Sequence, residues 1–253
     1  MTRARRAALL LAVLGLAACR TPQPPATIVL GEEGRVAVWL EHLETRAKER
    51  HSVRAQGKLH LRGPDGSGSA RQVLLAERPS RLRLESLNLW GQVQTLLVTD
   101  GERFAFYDGH ALERGALHPD LLRERLGLDL EPEEAVQQLL GIAPLPEGSG
   151  DPHLRILAVW AIGDDRIVEL PDRRLRFAAD GTLRGAERLD ADGNPRWRAH
   201  YARWRELPAG LYPFEMSFEF PSTGLQAKLE LREVELDPLL DASLFRIAPR
   251  GSE

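Results

Sequence analysis

The chain has 253 residues, of which 43% are hydrophobic and 28% charged, with 17 prolines, 22 glycines and a formal net charge of −3. This is an ordinary globular composition, long enough for one large β domain or two small ones, and its prolines and glycines favour many turns over long helices. Arg3, Arg5 and Arg6 stand at the very start; without them the remainder sits at about −6 with no basic block, which argues against nucleic acid as a partner.

Those arginines precede an apolar run, residues 7–18, that is too short to span a bilayer as a helix and is typical of a secretory h-region. It ends in Leu16-Ala17-Ala18-Cys19. This resembles the lipobox of bacterial lipoproteins, in which the signal is removed before the cysteine and the new N-terminal Cys19 carries the acyl chains. Several chains anchor stably where a single one is marginal. Cys19 is the only cysteine, so no intramolecular disulfide can form and stability must come from the core. Residues 20–26, RTPQPPA, read as a semi-rigid tether. By resemblance to enterobacterial lipoproteins, Arg20 after the acylated cysteine implies sorting to the outer membrane. The expected organisation is a signal at 1–18, a lipidated cysteine and tether at 19–30, and one domain at 31–253.

Residues 32–49 predict an amphipathic helix. Val36, Leu40, Leu43 and Ala47 recur at three- and four-residue spacing with Trp39 beside them, while Glu41, Glu44, Arg46 and Lys48 take the other face. It is a candidate cover for the sheet that follows. The first strand puts Val53, Ala55, Gly57, Leu59 and Leu61 on one face and Arg54, Gln56, Lys58, His60 and Arg62 on the other. A Gly-rich turn at 63–68 leads to a second strand, where Val73 and Leu75 alternate with Leu74 and Ala76; we assign Val73 and Leu75 inward. After Pro79, Leu82 and Leu84 alternate with Arg81, Arg83 and Glu85. Leu87, Leu89 and Trp90 then lead to a run ending at Val98. Asp100-Gly101 predicts a two-residue hairpin turn with both central residues at positive φ, and Phe104 and Phe106 share a face of the fifth strand.

The pattern breaks after Asp108. Residues 118–142 read as two helices, the first with Leu121, Leu122 and Leu126, the second with Pro132 early and Gly141 terminating, joined near Gly127. Strands resume at Leu154 and run to Leu236, with Asp180-Gly181 and Asp192-Gly193 as turns. The clearest has a large apolar residue at every second position: Tyr212, Phe214, Met216, Phe218 and Phe220. Its neighbour carries Leu225, Ala227, Leu229 and Leu231.

The order of lipobox, tether, helix, five meandering strands, helical insertion and about six more strands resembles the LolA/LolB-type lipoprotein carriers and their lipoprotein relatives. Arg78-Pro79, Asp100-Gly101, Phe106-Tyr107, Val234 to Asp237, Leu244-Phe245 and Pro249 stand where that family has similar residues. The resemblance implies an α+β fold, a strongly curved antiparallel sheet of about eleven strands forming an incomplete barrel, with helices covering its open side above an apolar hollow for acyl chains. Inward candidates for that lining are Leu59, Leu61, Val73, Leu75, Leu82, Leu84, Phe104, Phe106, Tyr212, Phe214, Met216, Phe218, Leu229 and Leu231. Arg78 matches an arginine that hydrogen-bonds the lid, and Leu87, Leu89 and Trp90 occupy the place of a loop that meets the membrane. The acylated N-terminus is more like LolB, the membrane-attached acceptor, than like soluble LolA. Implied partners are the acyl chains of lipoproteins or lipids, the outer membrane at its periplasmic face, and a periplasmic carrier protein.

Acyl chains ask for a non-directional apolar lining, about 0.8 kcal/mol per buried methylene. The same residues can also fill a closed core, leaving a protein-binding lipoprotein for envelope assembly or stress sensing as the alternative, and the Leu89-Trp90 loop can equally fold inward as a tight turn. Catalysis finds no support. Seven histidines are scattered, no HExxH, GxSxG or Walker loop occurs, and the lone cysteine builds no zinc cluster, so no metal, no cofactor and no enzymatic activity is expected.

Overall fold

The computed structural model describes residues 27–143, 145 and 156–246. Cys19, the signal, the tether up to residue 26 and Pro249 lie outside the described residues. A short strand β1 (Thr27–Ile28) and helix α1 (Glu33–Glu49) precede six strands: β2 (Ser52–Gly63), β3 (Gly66–Glu77), β4 (Arg81–Leu87), β5 (Val93–Thr99), β6 (Arg103–Tyr107) and β7 (Leu112–Ala116). Two short helices follow, α2 (Leu121–Leu126) and α3 (Pro132–Leu139). The second half runs through β8 (Ala158–Ile162), β9 (Asp165–Leu170), β10 (Arg173–Phe177), β11 (Leu183–Leu189), β12 (Pro195–Leu207), β13 (Gly210–Phe220) and β14 (Leu225–Leu236), and closes with a 3-10 turn, Ala242–Phe245.

All strands belong to one antiparallel sheet in the order β1-β8-β9-β10-β11-β12-β13-β14-β2-β3-β4-β5-β6-β7, and its edges do not pair with each other. Among the described residues the strand count is fourteen, where the sequence suggested about eleven. Strands β1 and β7 escape notice because edge strands have at most one ladder to satisfy, so they need no strict alternation: Leu112–Ala116 is almost wholly exposed. The remaining difference is one extra strand in the second half.

Directly opposed residues share a face, so register carries the inner face across the sheet. Leu59 opposes Leu229, Leu229 opposes Met216, and Met216 opposes Tyr201. Helices α1, α2 and α3 lie against this face. Helix α1 buries Val36, Trp39, Leu40 and Leu43, with the Trp39 ring 5.3 Å from that of Phe177. Its start is tied to β9 by the two Arg166 nitrogens that donate to the Glu32 carboxylate at 2.6 and 3.0 Å. Helix α2 ends on Gly127 at φ +71, a left-handed position that glycine adopts without steric cost.

Two expectations are corrected here. Ala55 opposes Leu74 and Val53 opposes Ala76, so Leu74 and Ala76 face the helices while Val73 and Leu75 point to the outer face. The run Val73-Leu74-Leu75-Ala76 is apolar on both faces because the outer face is covered there too. Leu75, Val98 and Ala105 stand on one outward row, each nearly buried, and the 3-10 turn lies over it, Arg83 Nη1 donating to the Leu244 carbonyl at 2.8 Å and Phe245 fully buried. Asp100-Gly101 is also not a two-residue turn. Strand β5 ends at Thr99 and β6 begins at Arg103; only Gly101 has positive φ, and Asp100 Oδ1 accepts from the backbone N–H of Glu102 and Arg103.

Candidate functional site

An apolar cavity of about 100 Å³ lies between the inner face and helices α2 and α3. Leu59, Leu74, Leu84, Phe218, Phe220, Ala227 and Leu229 form its floor. Leu122, Leu128, Leu130, Ala135 and Leu139 close it from above, and Gln72 and Gln138 are the polar members of the wall. The floor follows from period-2 alternation on four adjacent strands, β13, β14, β2 and β3, with β4 adding Leu84.

Helix α3 is clamped along its length. At its end, Arg50, 2% exposed, donates from Nη1 to the carbonyl of Leu140 at 3.0 Å and from Nη2 to that of Leu211 at 2.7 Å, while the Tyr212 hydroxyl donates to Leu139 O at 2.5 Å. Burial lowers the Arg50 pKa to about 10 and raises that of Tyr212. In the middle, the buried Tyr201 hydroxyl donates to Gln138 Oε1 at 2.5 Å. At its start, Arg196 pairs with Asp129 at 3.2 Å, Ser222 Oγ donates to the other Asp129 oxygen, and Arg188 lies 3.7 Å from Glu134, whose carboxyl is pushed up by burial. Helix α2 has fewer buried polar ties: it packs through the fully buried Leu121 and Leu122, and Thr223 Oγ1 donates to the Gly127 carbonyl at its end at 2.9 Å. Its ion pairs, Arg125–Glu113 and Arg123–Asp120, are solvent-accessible and of the kind that contributes at most about 1 kcal/mol.

The structure therefore divides the expected lining. Leu59, Leu84, Phe218 and Leu229 line the cavity. Leu82, Phe104, Tyr212, Phe214, Met216 and Leu231 are buried on the inner face but are core, and Leu61 and Phe106 are half-buried beside it. Val73 and Leu75 lie on the other side of the sheet. Arg78 Nη1 donates to the Ala47 carbonyl at 2.6 Å, meeting the last turn of α1, where a cation also suits the helix dipole. Leu87, the last residue of β4, is half-buried, whereas in the β4–β5 loop Leu89 is 92% and Trp90 83% exposed; the loop does not fold inward. Its shape is held by Asn88, whose Oδ1 accepts from the N–H of Trp90 and of Gln92 at 2.9 Å each.

Sequence reasoning missed Arg50 and Gln138. Arg50 ends an amphipathic helix among other charged residues, and nothing local separates it from Lys48. Gln138 does sit three residues after Ala135, on the buried face of α3, which was the available signal. Two larger grooves, about 710 and 400 Å³, open on the outer side of the sheet, but they are walled by charged side chains such as Lys228, Glu230, Arg174 and Arg198 and offer no shelter to hydrocarbon. Among the described residues no cluster of side chains suits a metal ion, and no helix is long and apolar enough to cross a membrane.

No protein-family model matches the sequence, and no curated protein matches it. Solved structures do resemble the fold. A LolA superfamily protein from Nitrosomonas europaea superposes with a TM-score of 0.55 at 13% identity, over 81% of this chain and 97% of that one. A DUF1329 family protein from Desulfovibrio piger gives a TM-score of 0.56 at 9% identity, over 87% of this chain and 98% of that one. The architecture is thus that of the LolA-like open barrel.

Proposed function

We propose that this chain is a non-enzymatic envelope lipoprotein that accepts or carries the acyl chains of lipoproteins or lipids. The acyl chain enters between the inner face of the sheet and helices α2 and α3, and Cys19 anchors the protein to the periplasmic face of the outer membrane, with residues 1–18 as signal and 19–30 including the tether. The observation that carries the reading is the hydrocarbon cavity itself, placed under two short helices in a LolA-like fold. At about 100 Å³ it is smaller than the roughly 300–1,000 Å³ of ordinary ligand sites, so loading requires the cover to move. Since α3 is tied by buried hydrogen bonds and the polar ties of α2 are fewer and more exposed, we assign loading to movement of α2, which lifts the buried Leu122 off the cavity. Mass spectrometry of lipids retained by the purified non-acylated domain tests this; acyl lipids in stoichiometric amount are expected. For the anchor, Cys19→Ala is expected to leave an unprocessed or soluble protein, and normal membrane partition of that variant would refute it.

A second reading, a protein-binding lipoprotein with a filled core, is favoured by Tyr212 and Met216, both 0% exposed where an open carrier would leave space. Absence of retained lipid and of fatty-acyl probe binding would select it.

A further inference from the structure

Gln138 projects from α3 into the cavity wall and is 1% exposed. Its Oε1 is taken by the Tyr201 hydroxyl, and its Nε2 has no hydrogen-bond partner. Turning the amide over does not change this. Nε2 would then give one hydrogen to the Tyr201 oxygen and keep the second free, so at least one N–H is unpartnered in either orientation. Among the described residues, the other buried side-chain nitrogens without a hydrogen-bond partner belong to Arg50, Arg125, Arg188, Trp197 and Trp204, none of which lines the cavity. Gln72, the other polar residue of the wall, spends its Nε2 on Ser86 Oγ at 2.7 Å. Buried donors are nearly always satisfied, and one left without a partner on a residue that lines a hydrocarbon void is costly unless something arrives to accept from it. For a guest of pure hydrocarbon, leucine at position 138 together with phenylalanine at 201 would serve better, since no polar group would then be buried beside the void.

We propose that the guest supplies the acceptor, an acyl carbonyl in ester or amide linkage that receives the Gln138 Nε2 hydrogen while its chain lies against Leu59, Leu84 and Leu229. The inference rests on the carrier reading and adds to it that the site recognises the acyl linkage as well as the chain.

The test uses the mature, non-acylated chain with three pyrene-tagged probes of equal length: a fatty acyl methyl ester, the matching N-methylamide and the matching alkane. The two carbonyl probes separate an ester-linked from an amide-linked guest. Gln138→Met is expected to weaken the preferred carbonyl probe about tenfold and to change alkane binding by less than about twofold. The infrared band of a ¹³C-labelled carbonyl, lowered when bound to the parent, is expected to return to its hydrocarbon position in the variant. Because Gln138→Met strands the Tyr201 hydroxyl, the double variant Gln138→Met/Tyr201→Phe removes both partners and must repeat the pattern. Equal loss for all three probes, or an unshifted band in the parent, overturns the inference and leaves the carrier reading standing. Failure of every probe to bind the parent overturns both.

Discussion

Arg50 and Tyr212 close on the same stretch of backbone: the guanidinium carbon sits 5.7 Å from the Tyr212 ring centre, and the two side chains donate to the consecutive carbonyls of Leu140 and Leu139. One residue comes from the end of α1 and the other from β13, so a single contact joins the first helix, the last turn of α3 and the sheet. These carbonyls are helix C-terminal acceptors that would otherwise be buried without a donor.

Arg50→Met should therefore lower stability by roughly 2–4 kcal/mol, since it strands several buried carbonyls at once, whereas Tyr212→Phe should cost about 1 kcal/mol. Urea unfolding of both variants measures this. A cost below about 1 kcal/mol for Arg50→Met would show that α3 is held by packing alone.

The Glu32 carboxyl is held down to about 2 by hydrogen bonds from Arg166 and Arg35, against an ordinary value of 4.5. A carboxylate whose folded-state pKa is depressed adds stability at pH above its unfolded value, and that contribution fades as pH falls from about 4.5 towards about 2. Because the pair lies near solvent, the contribution is taken as about 1 kcal/mol. Glu32→Gln should lower stability at pH 7 by that amount and should flatten the acid limb of stability against pH. An acid limb identical to that of the parent would contradict the assignment.

Phe218 and Met216 share the inner face of β13 but differ in surroundings, one half-buried at the cavity and the other fully enclosed. Met216→Ala should cost about 2–5 kcal/mol, as for a core residue leaving a void. Phe218→Ala should cost less than the roughly 3–5 kcal/mol of a packed phenylalanine, while altering binding of a fluorescent fatty-acyl probe. Denaturant titration together with probe binding decides; the reverse order of stability losses would place the cavity elsewhere.

Replacing both Leu89 and Trp90 with Glu should leave stability within about 0.5 kcal/mol, because neither side chain is buried. Contact with liposomes, followed by flotation, should fall. Unchanged flotation would remove the membrane role from this loop.

Much of the fold was legible in the chain itself. The alternation from Tyr212 to Phe220 and from Leu225 to Leu231, the apolar stripe of α1, and the Pro132 and Gly127 punctuation of the short helices are local patterns. A strand or helix must satisfy them wherever it packs. The cover on the inner face was legible for the same reason, since an amphipathic helix beside a one-sided apolar sheet has one stable place to bury its stripe.

What only the tertiary structure decided are the properties that depend on two surfaces at once. Period-2 alternation specifies that Leu74 and Leu75 face opposite ways but not which faces inward. The register against Ala55 settles it, and the outer cover at Phe245 explains why the alternation was blurred. The role of Arg50 became visible only through its partners at Leu140 and Leu211, and that of Gln138, whose helical spacing marks it as inward, through Tyr201, all far away in sequence. The cavity is the small remainder between two closely packed layers, so its size follows from how they meet and from no residue within either one.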